Sequence, residues 1–182
     1  MDSLVGVSPQ RILFHGPTKL LVDNYHWHSP EVGIVASYTP KERDVHDHFG
    51  IFRGVDQIES FAQATIVSCG TFLGCVKQGC TPEDLRQKFT PIFISVGHVV
   101  FQNYLEKGDT FVCIGRITFS KFRQMTCDGR IYKVPKDIDP DAYFADFSEE
   151  RLMGYELSSD FVLVSELFDI TGRAIKNEYF IK

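Results

Sequence analysis

The chain has 182 residues, 43% hydrophobic and 24% charged, with a formal net charge of −5. That length fits one domain able to bury about 70% of its unfolded surface. The acidic balance argues against general nucleic-acid binding, which needs a clustered basic face, and the absence of repeats or low-complexity tracts marks an ordinary globular composition.

Sixteen phenylalanines point to a large core, an apolar tunnel or a subunit interface, and composition does not choose among them. The five cysteines, Cys69, Cys75, Cys80, Cys113 and Cys127, are odd in number and show no C-x-x-C spacing. They read as reduced thiols of a cytoplasmic protein. The start MDSLVGVSPQR has neither the basic end nor the apolar run of a signal peptide, and no apolar stretch has the length of a membrane span.

In chain order, residues 8–17 read as a lead-in with a short helical turn that ends at HGP. KLLVDNYHW (19–27) and EVGIVASYTP (31–40) are β-rich runs around HSP and predict two paired strands. KERDVHDHFGIFRG is an irregular connection. From Val55 to about Gln78 apolar residues cover most of a helical wheel, the mark of a buried helix, about 36 Å long at 1.5 Å per residue. TPEDLRQKF (81–89) starts a second helix, with Thr81 as N-cap, Pro82 in the first position and Asp84 closing a capping box.

Strands follow at 91–101, 109–122, 129–134, 159–169 and 173–182, with DITGR read as a tight hairpin between the last two. Residues 135–157 carry a dense acidic run and read as an inserted loop with a short helix. The sum is an α+β fold, one domain over 1–182, its antiparallel sheet wrapped around a long central helix.

A buried carboxylate costs several kcal/mol unless it is paired, neutralised or useful, so Glu59 in the apolar helix needs an explanation. The surrounding residues supply one. D-H-F-G-I-F-R-G-V-D-Q-I-E-S-F-A-Q (47–63) resembles the signature G-H-F-P-G-x-P-x-M-P-G-V-x-x-x-E-x-x-A-Q of the hot-dog fold β-hydroxyacyl-acyl-carrier-protein dehydratases of bacterial fatty acid synthesis. His48 and Phe49 match its first half; Gly54, Val55, Glu59, Ala62 and Gln63 match its second. Upstream, LFHGPTKLLVD resembles the family's L-P-H-R-Y-P-F-L-L-V-D, and downstream the K-G-D turn (107–109) stands where the family has P-G-D. The chain is three residues shorter between histidine and glutamate, its GIFR has no proline, Arg53 replaces the last proline, and Asp47 replaces the first glycine.

The resemblance implies dehydration of β-hydroxyacyl thioesters held on an acyl carrier protein, with no cofactor and no metal. His48 takes the α-proton, and Glu59, its pKa raised by burial, hands a proton to the departing hydroxyl. Gly54, Val55 and Gln63 are the implied oxyanion and substrate-binding positions, Gly54 through its amide at the helix start. The family's site is shared across a homodimer, histidine from one subunit and acid from the other. Asp56 is the fallback acid.

Against an acidic carrier, Arg53 and the pair Lys121 and Arg123, read as sharing one strand face, are the expected docking cations, with the acidic run lying elsewhere. H-x-H at His26/His28 and His46/His48 is a weak metal signal. Two rival readings keep the fold and change the role: a hot-dog acyl-thioesterase in which Glu59 or Asp56 activates water, and a non-catalytic acyl-binding protein.

Overall fold

The computed structural model describes residues 2–180. A short helix α1 (Pro9–Ile12) leads to the hairpin β1 (Asn24–Ser29) and β2 (Gly33–Tyr38). After α2 (Glu42–Val45) and β3 (Ile51–Phe52) comes the central helix. It runs as α3 (Gly54–Ala62), a π turn over Gln63–Val67, and α4 (Ser68–Gln78). Gly79, left-handed at φ +59°, stops it.

Helix α5 (Pro82–Lys88) begins with the expected Thr81–Asp84 capping box. Then follow β4 (Phe89–Ser95), β5 (His98–Phe101), β6 (Leu105–Glu106), β7 (Phe111–Lys121) and β8 (Gln124–Lys133). Two short helices, α6 (Pro140–Tyr143) and α7 (Glu149–Gly154), precede the 15-residue strand β9 (Val162–Lys176).

The main sheet is antiparallel in the order β1-β2-β7-β8-β9, and β4 and β5 both pair with β9 at the far edge. Strand alternation sends Ile34, Ala36, Cys113, Cys127 and Ile131 to the face that receives the helix residues Phe61, Phe72 and Leu73. Gly115 and Gly129 are partners across β7 and β8. A Cβ on Gly115 would strike Thr65, and one on Gly129 would strike Phe61. These two glycines let the helix sit close on the sheet.

The opposite face is covered by the acidic segment. Phe144, Phe147, Leu152 and Phe161 pack on Val35, Val112 and Ile114. The segment contains two short helices where the sequence suggested one, because Asp139 and Ser148 each cap a helix start with their side chains.

Three strand expectations need correction. The run 91–101 is broken at Val96–Gly97 into β4 and β5. DITGR is not a hairpin: β9 passes straight through it, with an extra residue between Leu167 and Ile170 opposite β8. Asp169 sits at φ +55°, and its amide donates to Asp128 Oδ1 at 2.9 Å. A bulge and a tight turn both call for residues that tolerate positive φ, so their sequence signals coincide. The strand predicted over 173–182 ends at Lys176, followed by a 3₁₀ turn at Asn177–Tyr179, and its last two residues lie outside the described ones.

Candidate active site

His48 lies on the turn between α2 and β3. The turn is held by His48 and Gly50 amides donating to Val45 O (2.9 and 3.1 Å) and by the Ile51 amide donating to His48 O (3.0 Å). Phe49 and Gly50 take positive φ, +54° and +80°. The His48 side chain is exposed, with Nδ1 3.2 Å from Ile51 O. A carbonyl can only accept, so Nδ1 donates to it, and Nε2 has no protein partner among the described residues.

Helix α3 starts at Gly54. A Cβ there would come within 2.8 Å of the Phe101 ring, so glycine lets the β5 ring lie against the helix start. The amides of Gly54 and Val55 have no acceptor inside the helix. Val55 is 62% exposed. Arg53 and Asp56 are locked together, Nε to Oδ2 at 2.6 Å and a second nitrogen to Oδ1 at 2.9 Å. Each satisfies the other, which removes Arg53 as a free cation and Asp56 as a free acid.

Glu59 sits about one helical turn further and retains 35% exposure at its side chain. Its Oε1 accepts from Gln63 Nε2 at 2.8 Å and faces His15 Nε2 at 3.3 Å. Gln63 is fully buried; its Nε2 also donates to Lys19 O, and its Oε1 accepts from the Leu21 amide. The π turn begins at this glutamine, whose carbonyl accepts from Ser68 Oγ at 2.7 Å. A π turn inside a long helix is a frequent companion of function.

The expected raised pKa of Glu59 is reversed. The hydrogen bond from His15 holds the carboxyl below its ordinary value and outweighs the desolvation that pushes it up, with Gln63 adding in the same direction. His15 is the residue that sequence reading missed. Its partner is 44 positions away, and its only signal was its place in LFHGPTKLLVD, a stretch read for likeness rather than chemistry.

No hydrogen bond or ion pair joins His48 to Glu59 within the chain: His48 holds Ile51 O, and Glu59 holds His15 and Gln63. Lys121 and Arg123 do not share a strand face. Lys121 ends β7, whereas Arg123 sits in the two-residue β7–β8 turn, where it and Phe122 both take positive φ, and Arg123 lies over the Phe89 ring at 5.4 Å.

Among the described residues no three His, Cys, Asp or Glu side chains converge as a metal site would require. His26 is bound instead by Asp141 and by Ser37 Oγ (2.7 Å), which ties the acidic segment to the sheet. His28 packs on Phe72 and is pushed down to about 4 by burial. The five cysteines are free, and burial pushes the Cys113 and Cys127 thiols up to about 12. Those two are unfit as nucleophiles.

No family model matches the chain, and no curated protein matches it. Solved structures do. The dehydratase heterocomplex ApeI:P from Xenorhabdus doucetiae aligns with a TM-score of 0.63 at 11% identity, over 96% of this chain and 95% of that one. The putative thioesterase yhdA from Lactococcus lactis aligns at 0.54 and 8% identity, over 90% and 99%. An uncharacterized protein from Pyrococcus horikoshii aligns at 0.50 and 10%, over 91% and 92%. These neighbours are hot-dog fold proteins, and this chain has that fold. None of its helices is long and apolar enough to cross a membrane, among the described residues.

Proposed function

We propose that this hot-dog chain is an acyl-thioester enzyme whose reaction is dehydration of β-hydroxyacyl thioesters on an acyl carrier protein. One observation carries the reading: an exposed imidazole held by Nδ1 with Nε2 left unpartnered among the described residues, and a carboxylate wired through one oxygen to a second histidine. His48 Nε2 takes the α-proton, the Cα–H electrons form the double bond, and the β C–O bond breaks. The leaving oxygen needs a proton, and the His15–Glu59 pair holds it, with Glu59 as the acceptor that positions the hydroxyl. His48 then returns its proton to solvent and the pair is recharged. The amide of Gly54 meets the charge building on the thioester oxygen, with exposed Val55 beside it, while buried Gln63 orients Glu59 rather than touching the substrate.

The same reading needs two subunits, His48 of one copy working with Glu59 of another. Support comes from the sheet edge formed by β4 and β5, where Phe93, Ile94, Val96 and Phe101 are all more than 40% exposed. A long apolar edge calls for a partner strand. Carrier docking rests on Lys121 and Arg123 at the β7–β8 turn. Light scattering that finds a monomer at micromolar concentration, with turnover intact, removes the composite site.

One observation favours a second reading in the same fold. An ionised Glu59 suits activation of water, hence thioester hydrolysis. Crotonyl-pantetheine separates the two: hydration of its double bond, followed by loss of absorbance, supports the dehydratase. Free thiol release supports the thioesterase, and silence in both assays sinks both.

A further inference from the structure

A pocket of about 190 Å³ opens at the other end of the central helix, between α4, α5, the β7–β8 turn and β9. It lies some 11 residues beyond Glu59, hence about 16 Å along the helix axis. Its floor is apolar, with Ile66, Leu73, Leu85 and Met125, and Gly70 lies among them. A glycine in a helix interior costs roughly 0.5–1 kcal/mol against alanine. Gly74, one turn on, has a packing reason, because a Cβ there would press on Leu85 at 2.9 Å. Gly70 has none: a Cβ there would meet nothing within 4 Å. Its missing side chain leaves space inside the pocket.

The rim is as distinctive as the floor. Lys77, Lys121, Arg123 and Arg173 line the pocket and no carboxylate does, in a chain of net charge −5. Among the described residues none of the four makes an ion pair with an acid; Arg123 rests on the Phe89 ring. The turn that carries two of them puts Phe122 and Arg123 at φ +54° and +63°. Two non-glycine residues there cost about 1–2 kcal/mol each, in a turn type that prefers Asn-Gly. Phe122 stands 82% exposed at the mouth.

We infer that this pocket binds an anionic amphiphile, its short apolar tail beside Gly70 and its carboxylate or phosphate head among Lys77, Lys121, Arg123 and Arg173. Size sets the tail. A cavity of about 150 Å³ takes benzene, so this one takes a ring or an acyl segment of roughly six to eight carbons. The inference stands on the pocket and not on the His48/Glu59 chemistry.

Calorimetric titration with octanoate, octyl phosphate and octyltrimethylammonium tests it. Octanoate or octyl phosphate should bind with a Kd below about 1 mM, weaken as salt rises, and the tighter of the two identifies the head group. The cationic probe should not bind. Gly70→Leu fills the space and should weaken binding at least tenfold while the melting temperature holds or rises. Lys121→Gln with Arg123→Gln, both exposed, should weaken the anions by a similar factor. Glu59→Gln should leave binding unchanged. The inference is overturned if neither anion binds, if the cationic probe binds equally well, if Gly70→Leu binds as the parent does, or if Glu59→Gln abolishes binding, which would move the ligand to the Glu59 end.

Discussion

The two ends of the central helix solve opposite problems. At the Gly54 end the helix carries polar groups, and each is held: Asp56 by Arg53, Glu59 by His15 and Gln63, Gln63 by the Lys19 and Leu21 backbone. At the Gly70 end the helix offers empty apolar space, and the charges around it lack acidic partners. A region whose polar groups are satisfied internally is organised to position atoms. One whose cations are unspent is organised to receive a ligand that brings the opposite charge. The π turn over Gln63–Val67 separates the two.

The sharpest way to break this contrast is to remove the proposed proton acceptor, which has no acidic partner among the described residues. His48→Ala deletes an exposed side chain whose only hydrogen bond among the described residues is to Ile51 O. Turnover of a β-hydroxyacyl thioester should fall about 10³-fold, with the melting temperature unchanged. Full activity in this variant ends the role of His48. Binding of the anionic amphiphile should be untouched, because the other end of the helix does not sense the turn.

Glu59→Gln comes next, with about a 10²-fold loss of turnover. Its effect on stability also has a sign. Burial alone would make removal of the charge favourable, but the carboxyl is held below its ordinary 4.5, first by the His15 hydrogen bond. A lowered carboxylate pKa contributes stability that is present above the unfolded value and is lost as pH falls through the folded one. Urea titrations should find the parent slightly more stable than the variant at pH 7. The gap should close as the pH drops below about 4.5. A variant that is the more stable at pH 7 would restore the desolvation reading.

How much of this contrast could be read in advance differs between the ends. At the Gly54 end the proposed site residues, His48, Gly54, Glu59 and Gln63, stand within sixteen positions, so a proposal about them could be made from spacing alone. His15 escaped because hydrogen bonds across 44 positions leave no period in the chain. The Gly70 end escaped for another reason. Glycines in an apolar helix read as filler, and whether a missing Cβ faces a neighbour or a void depends on elements from four distant stretches. The helix over 54–78, the β1–β2 pair and the Thr81 cap follow local rules and were visible. The β9 bulge at Asp169 follows a local rule too, but shares it with a turn.

Glycines on the two faces of helix–sheet contact extend the comparison to packing. Gly115→Ala would set a methyl group directly on Thr65 and beside the Phe61 ring. Neither can retreat, since Phe61 is fully buried and Thr65 Oγ1 donates to Phe61 O. Overpacking of this kind costs typically 1–3 kcal/mol, measurable as a lower urea midpoint. An unchanged midpoint would mean that the helix rides more loosely on the sheet than the contacts imply.

Gly70→Ala should give the smallest effect and the opposite sign. The residue lies in continuous helix with negative φ, and its new methyl group meets nothing within 4 Å. The unfolded chain loses freedom, the folded chain gains no strain, and stability should rise by roughly 0.5–1 kcal/mol, a gain of about 1–4 °C in melting temperature for a chain of this size. Gly74→Ala is the control: its methyl group pushes on Leu85, so the helix gain is offset and the midpoint should move less. If Gly70→Ala destabilises while Gly74→Ala does not, the space at Gly70 is already filled in the folded protein, and the ends of the helix differ in charge but not in room.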